Sequence, residues 1–419
     1  MTRDGLRLHR WNDRTVVGAA VAAFASGFGQ FGVVAALGDV ARGFGQAGNG
    51  TSLAAQIGMS GTALGIGLAI MRVASVGALP VIGLADRFGR RRLLLGTVGA
   101  GLALTALAAA SPSYWWFVVI FACGRPVLAA TNGLAQVTAA EQTASADRAK
   151  AVAFIAAGYG TGAGVIAIVH SLAASTLGFR GVFVLALVPL ALLPLLRHWI
   201  SEPDRFTVAA AGPQHPVPVF DAVARPFRRR LAVIVVLGFA ISVITGPANS
   251  FVFLFAQNIL HLPGIVTASM VVGAGVTGLA GLLAGRWLAD HAGRRLTGAL
   301  ATAAVALLAI VTYSGSAPAL VAGYMLGVFA ASVSAPAIGS LLNELFPTTV
   351  RASAAGWSLA AGVVGAVAGL VTFGAVVGAG HSFAVAGLVT FLPAALMMLL
   401  FWLLPETRGR EPEDLWPGM

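Results

Sequence analysis

The stretch GLADRFGRRR, Gly83 to Arg92, decides the fold because it returns almost unchanged as WLADHAGRR, Trp287 to Arg295. Leu-Ala-Asp and Gly-Arg-Arg keep their spacing: Asp86 to Asp290 is 204 residues, and Gly89 to Gly293 is 204. Charge is scarce around both copies. The chain is 58% hydrophobic and 10% charged, with 53 glycines among 419 residues. A soluble domain carries about 25% charged residues, so this chain lacks the polar surface needed to face water.

Runs of about 20 apolar residues read as membrane-spanning helices, because lipid leaves every backbone polar group to be satisfied within the segment. The chain holds twelve such runs, at 15–37, 53–82, 93–110, 114–139, 151–174, 181–199, 231–258, 265–285, 297–313, 318–342, 353–377 and 382–404. The first is too long for a signal peptide and lacks its cleavage pattern, so it reads as retained. No segment between spans is long enough for a soluble domain. The longest, 201–230, is rich in Pro and Arg and reads as a linker.

Other charged positions repeat at the same period. Glu141 and Arg148 match Glu344 and Arg351 at an offset of 203, and Glu202 matches Glu406 at 204. The expected fold is therefore an all-α membrane protein, twelve transmembrane helices in two pseudo-symmetric six-helix bundles, as in many transporters. The bundles are 1–200 and 231–404, joined by the linker 201–230 and followed by a tail, 405–419.

Arginine and lysine set the orientation. With the N-terminus inside, 22 of the 26 basic residues fall on the cytoplasmic side, and only Arg42 and Arg180 lie outside. Cytoplasmic loops carry such an excess. The expectation is a multi-pass plasma-membrane protein with both termini cytoplasmic. Topology thus accounts for the net charge of +11, and nucleic-acid binding is set aside. The single cysteine, Cys123, allows no internal disulfide, and no Cys/His spacing suggests a metal site. No cofactor is implied. Near-exclusive use of Arg over Lys suggests a GC-rich, bacterial genome.

Two six-helix halves with Gly-x-x-Asp-Arg-x-Gly-Arg-Arg between the second and third spans resemble the major facilitator superfamily. The resemblance covers nearly the whole chain, although Trp287 stands in the second copy where the first has Gly83. GRPVLAATNG (Gly124 to Gly133), ELFPTTVR (Glu344 to Arg351), SEPDRF (Ser201 to Phe206) and PETRGR (Pro405 to Arg410) look like the sugar-porter and metabolite–proton symporter branches. Sugar porters usually show a glutamine pair in the seventh span, and ISVITGPANSFVFLFAQ (Ile241 to Gln257) has none. Drug exporters usually carry a Gly-Pro phrase in the fifth span; AAGYGTGAG (Ala156 to Gly164) has the glycines without the proline. The resemblance implies alternating access, with a small-molecule substrate and the bilayer as partners and a monomer as the working unit.

The repeated charges suit a cytoplasmic gate: Asp86, Arg90, Glu141, Arg148 and Glu202 in one half, and Asp290, Arg294, Glu344, Arg351 and Glu406 in the other. Partly buried ion pairs there would hold the halves together and break as they rock. The alternative is a solvated positive-inside anchor. Exposed pairs are worth only about 0–1 kcal/mol, so a gate needs a network in a half-dry crevice. Glycines three or four apart in the second, fifth, eighth and eleventh spans suit either sliding between halves or ordinary close packing.

Substrate binding is expected where the copies differ. Arg72 in the second span and Arg125 in the fourth fall, after the repeat shift, on Val276 and Val328. A charge at mid-membrane costs about 2.5–3.5 kcal/mol on insertion scales, which makes each arginine a functional candidate. No Asp or Glu lies well inside any span, so a bound anion supplies the missing partner, and guanidinium binds carboxylate bidentately. The family also carries a fourth-span arginine, which Arg125 resembles. The alternatives are that Arg125 bonds helix carbonyls or glutamine side chains, and that Arg72 snorkels or faces a wet crevice. Gln30, Asn132 and Asn249 are the polar company expected nearby, Asn249 beside the helix break at Pro247. Asp39, at the outer end of the first span, and His170, in the fifth, are the coupling candidates, with a proton or a counter-anion both left open. The expected function is secondary transport of a small polar, anionic metabolite. A multidrug exporter of the same fold is the alternative, followed by a transport-dead sensor or scaffold. No nucleophile–base pair, metal constellation or phosphate loop suggests an enzyme.

Overall fold

A computed structural model describes residues 2–3, 6–7, 10–46, 48, 52–202 and 227–408. Most of the expected linker 201–230 and tail 405–419 lies outside the described residues, and so does the side chain of Asp86. Apart from a two-residue antiparallel pair near the N-terminus, Thr2–Arg3 with Leu6–Arg7, the described chain is helical. Twelve helices are long and apolar enough to cross a membrane: Arg14–Ala35, Gly61–Gly83, Arg90–Ala108, Tyr114–Gln142, Lys150–Ala173, Thr176–Trp199, Arg228–Ile259, Gly264–His291, Arg294–Thr312, Ala317–Leu342, Ser353–Gly378 and Phe383–Leu403. They are called spans 1 to 12 below.

Local chemistry sets their ends. Ser113, Ser316 and Ser382 accept from the third backbone N–H beyond them at the starts of spans 4, 10 and 12, the usual role of an N-cap hydroxyl. Span 2 begins later than the apolar run predicts. Gly58, at φ 78°, stops a separate short helix, Leu53–Ile57, and Ser60 caps the next one. The apolar run continues through this break because hydropathy does not register a left-handed residue.

The chain divides into two compact units, residues 1–44 with 70–215, and residues 45–69 with 216–419. The start of span 2 thus groups with the second unit, where Gly61 and Gly65 lie against Gly374 and Leu370. Within the first unit, spans 1 and 5 approach closely: a Cβ at Gly158 would lie 2.6 Å from the Ala20 carbonyl oxygen, and Gly27 and Gly162 face Tyr159 and Phe24 in the same way. Within the second unit, Gly365 and Gly369 of span 11 sit on the backbone of span 7, and Gly281 and Gly285 of span 8 on that of span 10. These glycines serve close packing inside a unit, where small residues let backbones touch.

In each unit the charged phrase lies at one end of the bundle, termed here the phrase end; the opposite end is the far end.

Candidate functional site

The phrase end is built the same way twice. Gly89 (φ 92°) and Gly293 (φ 102°) precede spans 3 and 9 in backbone conformations that L side chains rarely adopt. A Cβ there would press on a carboxylate, at 3.0 Å from Glu202 Oε2 for Gly89 and 2.6 Å from Glu406 Oε2 for Gly293. Those carboxylates sit on the helix N-termini. The backbone N–H groups of Arg90 and Arg91 donate to Glu202, the latter at 3.1 Å. Those of Arg294 and Arg295 donate to Glu406 at 2.9 and 3.1 Å. An anion at a helix start satisfies orphan donors and meets the positive end of the dipole. This explains why the phrase needs Gly before Arg-Arg and an acid after the sixth span of each half.

The arginine side chains complete the cluster. Arg90 binds Glu141 with two parallel bonds of 3.1 and 3.2 Å, while Arg294 Nε lies 2.8 Å from Glu344 Oε2 as a charge contact rather than an aligned hydrogen bond. Arg91 reaches the carbonyls of Ile200 and Arg197, and Arg295 that of Leu404, with its guanidinium 5.1 Å from the Trp402 ring centre. Arg91, Arg295 and Trp402 were not singled out by the sequence reading, although the Arg-Arg doublet was a usable signal. Arg148 and Asp290 are exposed, with no ion pair found among the described residues, and Arg351 points back to the Phe346 carbonyl. The Arg90–Glu141 and Arg294–Glu344 pairs each join elements within one unit. The reason is chain path, since the segments after spans 6 and 12 run back beside the starts of spans 3 and 9.

The two in-membrane arginines belong to the first unit. Arg125, half-buried on span 4, donates from Nη1 to the Gln30 carbonyl at 3.1 Å and from Nε to Ser75 Oγ at 3.4 Å. Gln30 is buried, but its amide turns to Ser26, whose hydroxyl donates to the Leu128 carbonyl. Arg72 is exposed on span 2, and both it and Tyr159 lie close enough to act on the Arg125 charge. Among the described residues neither arginine has a carboxylate within ion-pair distance. Asn132, seven residues beyond Arg125, has its buried Oδ1 without a hydrogen-bond partner. Ser75 and Tyr159 went unremarked in the sequence, where only a tyrosine inside the glycine run of span 5 hinted at them.

The matching region of the second unit is lined by uncharged residues. The sequence places a break at Pro247, but the helix of span 7 runs through it to Ser250 and is interrupted at Phe251. Tyr313 donates its hydroxyl beside this point, 3.2 Å from the Pro247 carbonyl and 2.9 Å from that of Ala248. Asn249 turns its amide to the Thr245 carbonyl at 2.9 Å. A cavity of about 60 Å³, lined by Thr245, Asn249, Tyr324 and Val328 among others, lies beside them. Asn249 therefore belongs to the second unit, and the arginine pair to the first.

At the far end of the first unit the structure brings together two residues that the sequence reading treated separately. His170 Nε2 lies 2.8 Å from Asp39 Oδ2, with the histidine side chain 1% exposed and the aspartate 24%.

The sequence profile of the Major Facilitator Superfamily matches residues 19–316. A putative metabolite transport protein of Haemophilus influenzae is 27% identical over 78% of this chain and 83% of its own. A probable 4-methylmuconolactone transporter of Cupriavidus pinatubonensis is 25% identical over 84% and 83%. The 3-(3-hydroxy-phenyl)propionate transporter of Escherichia coli is 26% identical over 71% and 73%. Among solved structures, the nucleoside transporter NupG superposes with a TM-score of 0.76 at 15% identity, covering 93% of this chain and 99% of that one. With twelve membrane-spanning helices, a duplicated charged phrase and these relatives, the chain is a multi-pass membrane transporter of small metabolites, not an enzyme, and it belongs to the Major Facilitator Superfamily.

Proposed function

We propose that this transporter moves a small organic carboxylate across the plasma membrane by alternating access, with a proton as the coupling ion. The observation that carries the reading is Arg125: a half-buried guanidinium on span 4 with two of its donors placed, on the Gln30 carbonyl and Ser75, and with a second arginine beside it. Two cations without a nearby carboxylate repel each other, and an anion between them relieves that cost. Planar, bidentate recognition favours a carboxylate. The compound after which one relative is named, 3-(3-hydroxy-phenyl)propionate, is of this class. In this reading Arg125 and Arg72 bind the anion, Asn132 offers its unpaired carbonyl oxygen to the rest of the substrate, and the phrase ends face the cytoplasm with both termini. The gate residues then stiffen the cytoplasmic end of each unit, so that each moves as one body.

The test is thermal unfolding of the purified protein with 3-(3-hydroxyphenyl)propionate, phosphorylated metabolites, neutral sugars and lipophilic cations. A ligand that binds only the folded state stabilises it by about 2.7 kcal/mol at a hundred times its Kd. The carboxylate is expected to raise the midpoint, and Arg125→Ala to abolish the rise. Stabilisation by lipophilic cations alone replaces this reading with a multidrug exporter.

A further inference from the structure

We infer that His170 and Asp39 form the proton-binding site of the transport cycle, a site separate from the arginine pair. The inference rests on the proposed carboxylate transport for its role, and on geometry for its location. Asp39 belongs to the short helix Leu37–Phe44, which continues span 1 beyond a kink at Ala36. His170 belongs to span 5 and is fully buried. Its Nε2 meets the Asp39 carboxylate at 2.8 Å, while its Nδ1 is buried with no hydrogen-bond partner.

That asymmetry makes the ring a vacant proton acceptor. With a neutral ring, the tautomer that bonds the carboxylate has its proton on Nε2, and the site carries one negative charge. A second proton can be held on the lone pair of Nδ1, the basic nitrogen of the ring that no hydrogen bond occupies. Adding it forms one N–H bond, breaks none in the protein and brings the pair to zero net charge. Histidine is the side chain whose ordinary titration range spans physiological pH, and the partly exposed Asp39 links the buried ring to solvent. Among the described residues, three other charged or titratable groups stand on the elements packed at this end. Arg42 Nη1, on the Asp39 helix, lies 3.9 Å from Asp39 Oδ1. Arg180 of span 6 is turned to the carbonyls of Ala109 and Ser111. Tyr114 begins span 4 and is buried.

A structural bond alone would not need an ionisable ring, and the site is placed to act on transport. Span 1 carries both the Gln30 carbonyl that receives Arg125 and, beyond its kink, Asp39. Protonation turns an ion–dipole bond into an ion pair and so tightens the hold of the span 1 extension on span 5. Deprotonation loosens it.

Two variants keep a hydrogen bond while removing the titration, His170→Gln and Asp39→Asn. In a potentiometric titration of the unliganded protein between pH 8 and 5, the wild type is expected to bind about one proton more than His170→Gln. Equal uptake overturns the proposal whatever the substrate. In proteoliposomes the probe is 3-(3-hydroxyphenyl)propionate. Both variants should lose accumulation driven by a pH gradient about tenfold or more, while exchange at equal pH stays within about twofold of wild type. Unchanged accumulation overturns the coupling role, and a parallel loss of exchange shows a purely structural bond, which overturns it too. If the wild type is neither stabilised by the probe nor exchanges it, the carboxylate reading fails, and the titration still decides the proton site.

Discussion

The two units differ most where their charges are rarest. At the phrase end they are near copies: Glu202 and Glu406 seat on the starts of spans 3 and 9, and Arg90 and Arg294 meet Glu141 and Glu344. Deeper in the bundle the first unit places Arg125 and Arg72, whereas the second has Val328 beside a cavity of about 60 Å³ and a tyrosine covering a broken helix. Duplication preserved what every bundle needs to hold its helix ends. It did not preserve mid-membrane charge, whose insertion cost is tolerated only where it serves a purpose.

The comparison is broken most directly at its deepest pair. Arg125→Ala should weaken binding of 3-(3-hydroxyphenyl)propionate about 100-fold, the loss of a charged hydrogen bond or two, while Val328→Ala leaves it unchanged; ligand-dependent unfolding midpoints check both. Equal effects would mean that the units share the substrate evenly. Arg72→Ala should cost about tenfold in the same assay, because an exposed guanidinium contributes less than a half-buried one.

The phrase ends sharpen the other side of the comparison. Glu202→Ala and Glu406→Ala should each lower stability by about 1–2 kcal/mol, the worth of an anion on a helix N-terminus, and by similar amounts in thermal unfolding. A large inequality would show that one copy has taken on a further role. The smallest effect belongs to Tyr313→Phe, about 1 kcal/mol for the lost hydroxyl, with no change in carboxylate affinity.

Much of this protein was legible in one dimension. Composition fixed the solvent, apolar runs marked twelve spans, and a period of about 204 residues revealed the duplication, because lipid imposes the same demands on every stretch that crosses it. Arg72 and Arg125 stood out as candidates because charge inside a span is expensive. The break before span 2 did not, since hydropathy is blind to the left-handed backbone at Gly58.

Partnership was decided in three dimensions. The sequence offered ten charged residues without their partners, and the folded chain shows that Glu202 and Glu406 seat on helix starts while Arg90 and Arg294 meet Glu141 and Glu344, because which carboxylate reaches which helix start depends on where the chain returns. Asp39 and His170 lie 131 residues apart in sequence and 2.8 Å apart in the fold. No periodicity links them. The packing of spans 1 and 5 on small residues places their far ends together, and that proximity brings two separately noted coupling candidates into one hydrogen-bonded pair.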